Sequence, residues 1–299
     1  MSAIIMDGRE LSARLMPLLR RNAQELAQCG QTPVLAAVLT GENPASLQYV
    51  RNKRRMAEQL GFGIEMVRLS AQEASTERLL AIIGRLNADR RITGILLQLP
   101  MPEKVDVFRL FDAIDPVKDI DAVGAVNVSG FYRAQQGGLI PCTPRGVLTM
   151  IDYYRVPADG ARAAVIGRSD IAGKPLAIIL GGRLRNATVT WCHRHTRDLA
   201  AICREADLLV SCVGAELQRR FLITADIVKP GACVIDVGFR RIGPGKFAGD
   251  VDFDGVKQVA GWITPNPGGT GPMTVAALMQ NLIDAARRMA GLERVGYNL

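Results

Sequence analysis

The chain has 299 residues, of which 48% are hydrophobic and 22% are charged. This length fits two α/β domains of ordinary size, each with enough interior for its own core. No apolar run approaches the roughly 20 residues that span a bilayer, and the N-terminus lacks the basic and apolar regions of a secretory signal. We therefore expect a cytoplasmic protein with no membrane segment.

The net charge of +8 raises the question of nucleic-acid binding. The arginines, however, are spread along the chain, and aromatic residues make up only 5%, which leaves no stacking platform for bases. We expect no nucleic-acid partner. A basic balance instead suits small polyanionic ligands, such as phosphorylated cofactors or polyglutamylated substrates.

The six cysteines are scattered without a CxxC pair, and several lie in apolar, strand-like runs. This pattern predicts small core residues in a reducing compartment rather than disulfides or metal ligands. The two histidines, His193 and His195, share one short loop, and the sequence places no further zinc ligands near them. We expect no metal site.

The first half of the chain alternates helical and strand-like stretches, which is the pattern of a small parallel-sheet domain. In chain order, the predicted elements are a helix at 9–26, a strand at 34–39, a helix at 45–60, a strand at 64–68, a helix at 76–87 and a strand at 94–99.

The stretch from 116 to 143 is rich in Gly, Asn, Asp and Pro and has little periodicity, so it is predicted to be a functional loop. It ends at Thr143 and Pro144, which are typical of the cap and first turn of a helix. The domain junction is expected there.

The second half resembles a Rossmann-like nucleotide-binding domain. Its predicted elements are a strand at 163–167, a helix at 172–183, a strand at 187–192, a helix at 197–204, and strands at 207–213 and 232–238. A last helix, at 273–289, has an apolar stripe and follows a Pro/Gly hinge, so we expect it to return to the first domain. The predicted division is therefore residues 1–142 with 270–299, and residues 143–269.

The segment AAVIGRSDIAGKP is the strongest local signal for a nucleotide site. An apolar strand runs into Gly167, Ser169 and Gly173 and then directly into a helix. Glycines at such a turn let backbone amides and the helix N-terminus approach a pyrophosphate. Ser169 stands where the usual G-x-G-x-x-G motif has its second glycine, so a plain strand-to-helix turn remains an alternative.

The sequence at the end of the next strand indicates whether the cofactor is NADP or NAD. Folds that select NAD place an acidic residue about 20 residues further on, where it holds the ribose 2′-hydroxyl. That strand instead ends in TWCHRHT, with Arg194 and no acid. Arg168 and Arg194 would suit a 2′-phosphate, so NADP is predicted; as an alternative, both are solvated loop charges.

Tyr49 and Lys53 are candidates for the chemical site, because residues four apart share one face of a helix. A lysine works as a general acid and base near neutral pH only when burial or neighbouring groups favour its neutral form. Gln98, at the carboxyl end of a predicted strand, and Asp121, in the following loop, are candidate partners. Alone, each of these four residues also fits an ordinary structural role.

Five separated blocks are similar, in the same order, to those of the methylenetetrahydrofolate dehydrogenase/cyclohydrolase family, and together they cover essentially the whole chain. The blocks are GENPASLQYVRNKRR (41–55), GILLQLPMP (94–102), PVKDIDAV through PCTPRGV (116–147), VIGRSDIAGKP (165–175), and GDVDF with TPNPGGTGPMT (249–274).

This resemblance implies two reactions that the residues alone do not name. 5,10-Methylenetetrahydrofolate would be oxidised by hydride transfer to NADP, and the methenyl product would be hydrolysed to 10-formyltetrahydrofolate. It also implies a catalytic, folate-binding first domain, a shared cleft for both steps and a homodimer.

The resemblance implies site residues for the chemistry, for further substrate contacts and for the cofactor. Lys53 would be the general acid/base of the hydrolysis, Gln98 would hydrogen-bond to it, Tyr49 would stack on or orient the folate, and Asp121 would hold the pterin ring. The remaining positions are Leu99, Pro267 and Gly268 for the substrate, and Gly167, Arg168, Ser169, Arg194 and Phe239 for the cofactor.

Departures from the family pattern leave alternatives open. Ala122, Val123 and Gly124 replace a usual Gly-Phe-His, Asn266 replaces a usual Val, and many members have Ser at the position of Arg194. One alternative is a dehydrogenase with weak cyclohydrolase activity. Others are an unrelated NADP dehydrogenase for a small carbonyl or hydroxy acid, and a non-catalytic protein that binds NADP or nucleic acid.

Overall fold

The computed structural model of this chain describes residues 2–133, 138–183, 185–214, 221–243 and 246–293. The chain divides into two compact units. Met1–Ala13 with Thr143–Thr274 form the six-stranded unit, and Arg14–Cys142 with Val275–Leu299 form the three-stranded unit, each called after its main parallel sheet.

Helices and strands alternate along most of the described chain. In order they are β1 (Ile4–Ile5), α1 (Gly8–Gln28), β2 (Val34–Thr40), α2 (Pro44–Gln59), β3 (Gly63–Leu69), α3 (Thr76–Ala88), β4 (Gly94–Gln98), α4 (Val107–Ala113), α5 (Ala125–Tyr132), α6 (Cys142–Tyr153), β5 (Arg162–Ile166), α7 (Gly173–Gly181), β6 (Thr188–Cys192), α8 (Leu199–Glu205), β7 (Leu208–Ser211), a 3-10 helix (Ala225–Ile227), β8 (Cys233–Asp236), β9 (Arg240–Gly243), β10 (Lys246–Ala248), α9 (Phe253–Val256), β11 (Trp262–Ile263) and α10 (Thr270–Met289).

The three-stranded unit has the parallel strand order β3-β2-β4. Central strand β2 is buried along nearly its whole length, as expected for a parallel sheet covered by helices. Helix α3 begins after Ser75, whose hydroxyl accepts a hydrogen bond from Arg78 N. Its buried Leu79, Ile83 and Leu86 follow helical spacing and pack against one face of the sheet.

The six-stranded unit has the parallel order β1-β11-β8-β7-β5-β6, with a separate β9-β10 hairpin. From β5 the chain moves outward to β6 and then returns to β7 on the other side of β5. The carboxyl ends of β5 and β7 therefore flank the point where the strand order reverses, which is where open α/β sheets bind ligands. The predicted α/β class with a Rossmann-like sheet is confirmed.

The division of the chain differs from the predicted one at the N-terminus. Residues 1–13 belong to the six-stranded unit, because Ile4–Ile5 pairs in parallel with Trp262–Ile263. A two-residue strand carries no periodicity that a sequence pattern could reveal. In α10, residues from Val275 onward belong to the three-stranded unit, and the predicted apolar stripe of this helix is buried.

The stretch 116–143, predicted to be a loop, contains helix α5 and the start of α6. This prediction was wrong for α5 because its sequence, AVNVSGFY, lacks an apolar stripe of helical spacing. Gly124 at its N-cap makes no side-chain capping bond. Carboxylates from outside the helix accept from its first amides instead: Gly124 N donates to Asp119 and Ala125 N to Asp112.

None of the helices in the described ranges is long and apolar enough to cross a membrane.

Candidate active site

Lys53 and Gln98 form the predicted pair in the three-stranded unit. The Nζ atom of Lys53 donates to Gln98 Oε1 over 3.1 Å, and Lys53 is only 8% exposed. Helix α2 follows β2, and Gln98 ends the neighbouring strand β4, so both reach the carboxyl edge of the sheet. Among the residues that the structure describes, Lys53 has no ion-pair partner. Its partner is a neutral amide, so no carboxylate locks the amine in a salt bridge.

The orientation of the Gln98 amide is set by its second bond. Gln98 Nε2 donates to Leu99 O over 2.8 Å, which leaves Oε1 to face Lys53. The same carbonyl accepts from the buried Ser46 hydroxyl over 3.1 Å. Ser46 lies in the first turn of α2, so the helix that carries Lys53 is tied to the strand end that carries Gln98. Ser46 was not predicted as a site residue, although it lies in the quoted block GENPASLQYVRNKRR.

Tyr49 lies one helical turn before Lys53 and is partly buried. Burial raises the pKa of its phenol, so the neutral hydroxyl is retained over the ordinary pH range. The side chain of Leu99, also predicted to contact substrate, packs against the apolar core below the sheet. Its carbonyl, rather than its side chain, belongs to the hydrogen-bond network of Lys53.

Asp121 is partly buried and lies in a turn beside β4. The preceding Asp119 forms a parallel bridge with Ile95, so the chain runs alongside β4 toward the end that carries Gln98. Ala122, where the family usually has glycine, has a φ of 55°. The turn therefore keeps its left-handed residue, although the usual Gly-Phe-His is absent.

The turn after β5 has the geometry of a phosphate-binding loop. Gly167 has a φ of 123°, and a Cβ on it would lie 2.7 Å from Cys212 O. A Cβ on Gly173 would lie 2.3 Å from Gly167 O, so the first turn of α7 packs directly on the loop. Ser169 Oγ accepts from Gly173 N over 3.3 Å. Glycine is therefore required at both positions, as in strand-to-helix turns whose backbone approaches a pyrophosphate.

Two cations predicted to select NADP are exposed in the six-stranded unit. Arg168 follows Gly167, and Arg194 follows β6, the strand paired with β5. Arg194 Nε donates to His195 Nε2 over 3.0 Å, and His195 N donates to His193 Nδ1 over 3.2 Å. Guanidinium groups bind phosphates in bidentate fashion, and no acidic residue occurs at the end of β6 to hold a 2′-hydroxyl, so the prediction that Arg168 and Arg194 bind the 2′-phosphate stands as a prediction.

Phe239 follows β8, and its ring stacks on Phe247 with a centroid distance of 4.6 Å. A Cβ on Gly214 would lie 3.0 Å from Phe239 N and O, so the loop after β7 packs closely on this residue. Phe239 is thus held at the carboxyl edge of the six-stranded sheet, near the predicted cofactor turn.

Pro267 and Gly268 lie in a loop before α10. The Asn266–Pro267 peptide is cis, and Gly268 has a φ of 117°. Gly268 O accepts from Gly8 N over 3.0 Å and from Arg9 N over 3.2 Å, so the start of α1 holds the loop. Both residues belong to the six-stranded unit, whereas Lys53, Gln98 and Asp121 belong to the three-stranded unit.

Known proteins match this chain over nearly its whole length. The family model for the tetrahydrofolate dehydrogenase/cyclohydrolase catalytic domain matches residues 6–121, and the model for the NAD(P)-binding domain of the same family matches residues 141–290.

The chain belongs to the tetrahydrofolate dehydrogenase/cyclohydrolase family.

Three members of this family are particularly similar. Bifunctional protein FolD of Burkholderia thailandensis is 49% identical over 297 residues, which is 97% of this chain and 99% of that protein. The crystal structure of the bifunctional FolD enzyme of Campylobacter jejuni has a TM-score of 0.90 at 37% identity, covering 96% of this chain and 99% of that one. The Trypanosoma brucei FolD structure, complexed with NADP cofactor and inhibitor, has a TM-score of 0.91 at 33% identity, covering 97% and 99%.

Membership of the family confirms the predicted class of activity. The protein is an enzyme of folate one-carbon chemistry that combines a dehydrogenase using NADP with a cyclohydrolase. This excludes the non-catalytic alternative and the unrelated dehydrogenase.

Two buried carboxylates, Asp236 at the end of β8 and Asp250 in the block GDVDF, were not predicted from the sequence. Asp250 accepts from the Ser211 hydroxyl and from Val213 N and Gly214 N, over 2.8, 2.9 and 3.0 Å. Asp236 accepts from the backbone amides of Gly238, Asp250 and Val251. Together they join the loops that follow β7 and β8.

Burial raises the pKa of Asp236 to about 7. The neighbouring charge of Asp250 acts in the same direction, and the hydrogen bonds from Asp250 N, Val251 N and Asn266 act against it. Asn266 Nδ2 also donates to Gly238 O. The amide that replaces the family's usual valine therefore ties the Pro267 loop to the strand end before Phe239.

The six cysteines are free thiols. Cys142, Cys192, Cys203 and Cys233 are buried, as predicted, whereas Cys29 is exposed. No group of three or more His, Cys, Asp or Glu side chains that could hold a metal ion occurs in the described ranges.

Proposed function

We propose that the two units divide the chemistry as their residues suggest. The three-stranded unit would bind the folate and carry the hydrolysis, and the six-stranded unit would bind NADP. The buried hydrogen bond between Lys53 and Gln98 is the observation that carries this proposal. An amine held by a neutral amide at a strand end can both accept and return a proton.

In the oxidation, a hydride leaves the bridging carbon of 5,10-methylenetetrahydrofolate, and bound NADP supplies the acceptor for it. The product is the methenyl cation, and no proton is released from the carbon. The work of the protein is alignment of donor and acceptor, for which Asp121 would hold the pterin ring and Tyr49 would orient it. Leu99, Pro267 and Gly268 would border the substrate.

In the hydrolysis, water adds to the bridging carbon, and the bond from that carbon to one ring nitrogen then breaks to give the 10-formyl product. Lys53 would take one proton from the attacking water and deliver it to the departing ring nitrogen, and the second proton of that water would be released to solvent as the formyl C=O forms. Gln98 would keep the amine directed at the site through its fixed amide orientation. Because only this step moves protons, only this step depends on Lys53 as acid and base.

Cofactor contacts are assigned to the loops of the six-stranded unit. Gly167 and Ser169 would face the pyrophosphate, Arg168 and Arg194 the 2′-phosphate, and Phe239 the cofactor at the end of β8. The glycine geometry at residue 167 and the exposed guanidinium groups support this assignment.

We also propose a cytoplasmic homodimer that accepts polyglutamylated folates. The six free thiols support a reducing compartment. The edge strand β6 with its 43% exposed Trp191 supports association, and the net charge of +8 suits polyanionic folates. Sedimentation at several concentrations measures the assembly state.

Substitution of Lys53 by Gln tests the division of labour. We expect the rate of methenyl hydrolysis to fall about 100- to 10,000-fold, because proton transfer is lost, and the oxidation to fall much less. Methenyl product and reduced NADP are followed together after methylenetetrahydrofolate is added. The variant should reduce NADP while methenyl product accumulates.

Arg54→Gln is the matched control, since Arg54 is the next residue of α2 and its exposed side chain pairs with Glu58. It should retain both activities. Equal losses of both activities in Lys53→Gln, with a normal control, would contradict the role of Lys53. Accumulation of methenyl product by the unaltered protein would instead identify a dehydrogenase with weak cyclohydrolase activity.

A further inference from the structure

The carboxylate of Asp119 closes the turn that contains Asp121. Asp119 is only 1% exposed. Its oxygens accept from Val123 N over 3.3 Å, from Gly124 N over 2.9 Å and from Asn127 Nδ2 over 2.9 Å. Three donors that lie after Asp121 in the chain thus converge on one buried group that lies before it.

The chain before Asp119 is fixed independently. Lys118 O accepts from Ile95 N in β4 over 2.8 Å. The buried ammonium of Lys118 donates to Leu86 O, Asn87 O and Asp89 O at the end of α3, over 3.1, 2.7 and 2.8 Å. Lys118 therefore caps the carboxyl end of α3. Its bonds to β4 and to α3 fix the position of the chain immediately before Asp119.

Asp119 also sets the backbone on either side of Asp121. Ala122 N donates to Asp119 O over 3.0 Å, and Ala122 adopts a φ of 55°. With Val123 N and Gly124 N bonded to the Asp119 side chain, the segment from 119 to 124 has one closed arrangement. The backbone that carries Asp121 is therefore fixed on both sides.

Burial of a carboxylate in a turn costs free energy, because the charged group loses its hydration. Burial raises the pKa of Asp119, the charge of Asp121 acts in the same direction, and the bonds from Asn127, Gly124 and Val123 act against both. A second carboxylate therefore lies close enough to Asp121 to repel it, which stability alone does not favour. The three converging bonds hold the residues that follow Asp121, which is a reason for keeping this carboxylate.

We propose that Asp119 is a positioning residue that holds Asp121 in the orientation that binds the pterin ring of the folate substrate. The inference rests on the proposed function, since it takes Asp121 as the folate contact. Asp119 acts through Asp121 and the turn, so its loss should weaken folate binding and leave the NADP loops, which belong to the other unit, unaffected.

The test is a double-mutant cycle with Asp119→Asn, Asp121→Asn and the double variant. We expect Asp119→Asn alone to raise the KM for methylenetetrahydrofolate about tenfold, the effect of one misplaced charged contact, with the KM for NADP within about twofold of the original. In the Asp121→Asn background, the same substitution should change the folate KM by less than about twofold, because the group it positions is gone.

Asp112→Asn is the matched control. Asp112 accepts from Ala125 N over 2.8 Å, so it serves the same helix start without bonding to the turn around Asp121. It should lower the melting temperature but leave the folate KM unchanged. A purely structural role for Asp119 would give equal effects with and without Asp121, or equal effects on the folate and NADP constants, and either result overturns the proposal.

Hydrogen exchange separates this inference from the proposed function. In Asp119→Asn, exchange of the Val123 and Gly124 amides should accelerate, while amides of α7 should not change. Unchanged exchange in the turn overturns the positioning role, whatever the enzyme does. Absence of methylenetetrahydrofolate turnover in the unaltered protein, together with faster exchange in Asp119→Asn, overturns the proposed function and with it the folate role of Asp121, but not the hold of Asp119 on the turn. If Asp119→Asn fails to fold, Asn127→Ala, which removes one of the three donors, takes its place in the same cycle.

Discussion

Among single residues, the exposed guanidinium of Arg194 is the one predicted to favour NADP over NAD. The neighbouring imidazole of His195 accepts from Arg194 Nε over 3.0 Å and directs the guanidinium along the loop. A charge-assisted bond to a phosphate contributes about 1.5 to 3 kcal/mol. This is enough to discriminate between two cofactors that differ only in that phosphate.

Replacement of Arg194 by Ser should therefore weaken the binding of NADP and leave the binding of NAD nearly unchanged. We expect the KM for NADP to rise about 10- to 100-fold, with the KM for NAD nearly unchanged, since NAD has no 2′-phosphate. Initial rates with each cofactor at saturating folate measure both constants. Arg197→Ser, an exposed arginine three residues further along, is the control. Parallel losses with NADP and NAD in Arg194→Ser would show that the arginine does not read the phosphate.

The pairing of Lys53 with Gln98 shows which parts of the candidate site could be predicted from residue patterns. Tyr49 and Lys53 were predicted from helical spacing and Gln98 from its place at a strand end, and the structure joins Lys53 and Gln98 directly. The family resemblance, not spacing, supplied their roles. Ser46 and Asp119 were not predicted, because a hydroxyl in a first helical turn and an aspartate in a loop have many ordinary uses.

At the scale of elements, the end of α6 shows a local mismatch between sequence and backbone. Arg155 adopts a φ of 51° just after this helix, where Arg155 N donates to Asp152 O and Val156 N donates to Ile151 O. This is the position where glycine commonly ends a helix. For other L-residues the left-handed conformation costs about 1 to 2 kcal/mol, because the Cβ approaches the following carbonyl.

Substitution of Arg155 by Gly should stabilise the protein. We expect the free energy of unfolding to rise by about 0.5 to 1 kcal/mol, since relief of the Cβ contact outweighs the greater freedom of glycine in the unfolded chain. Urea unfolding measures the change. Arg155→Ala retains the Cβ and should have almost no effect, so a gain of equal size in both variants would point to the charge instead.

Helix α5 illustrates the opposite situation, in which an element depends on groups outside it. Its residues have no apolar stripe, and its N-cap is a glycine without a capping side chain. The buried Asp119 and the carboxylate of Asp112 satisfy its first amides. A pattern restricted to the helix itself contains no sign of either group.

At the scale of the whole molecule, the buried Asp236 links folding to pH. The folded protein holds its proton up to a pKa of about 7, whereas an unfolded aspartate loses it near its ordinary value of 3.8. Between these values the folded state binds one more proton than the unfolded state. The free energy of unfolding that Asp236 contributes is therefore present at low pH and is lost as the pH rises through about 7.

Comparison with Asp236→Asn should reveal this dependence. We subtract the free energy of unfolding of the variant from that of the unaltered protein. This difference should be about 2 kcal/mol larger at pH 5.5 than at pH 7.5. Urea unfolding at both values measures it. Asp254→Asn, which alters an exposed aspartate in the same unit, should show no such change. A difference for Asp236→Asn that does not vary with pH would contradict the expected titration.

Sequence patterns were sufficient to predict the alternation of helices and strands, the Rossmann-like second half and the family. These depend on periodicity within short segments and on motifs such as VIGRSDIAGKP, which are local properties. The sequence also located the glycine turn, because a positive φ at Gly167 and the close approach of Gly173 restrict those positions to one residue type.

Which distant groups contact one another depends on the folded arrangement of the chain and could not be predicted from these patterns. Several contacts join segments that are far apart in the chain. Strand Ile4–Ile5 pairs with Trp262–Ile263, and Lys118 bonds to the end of α3. Asp250 accepts hydrogen bonds from Ser211, Val213 and Gly214. Such contacts are selected by packing and by the need of buried polar groups for partners. A single sequence shows the polar residues that need partners, but the fold determines where those partners come from.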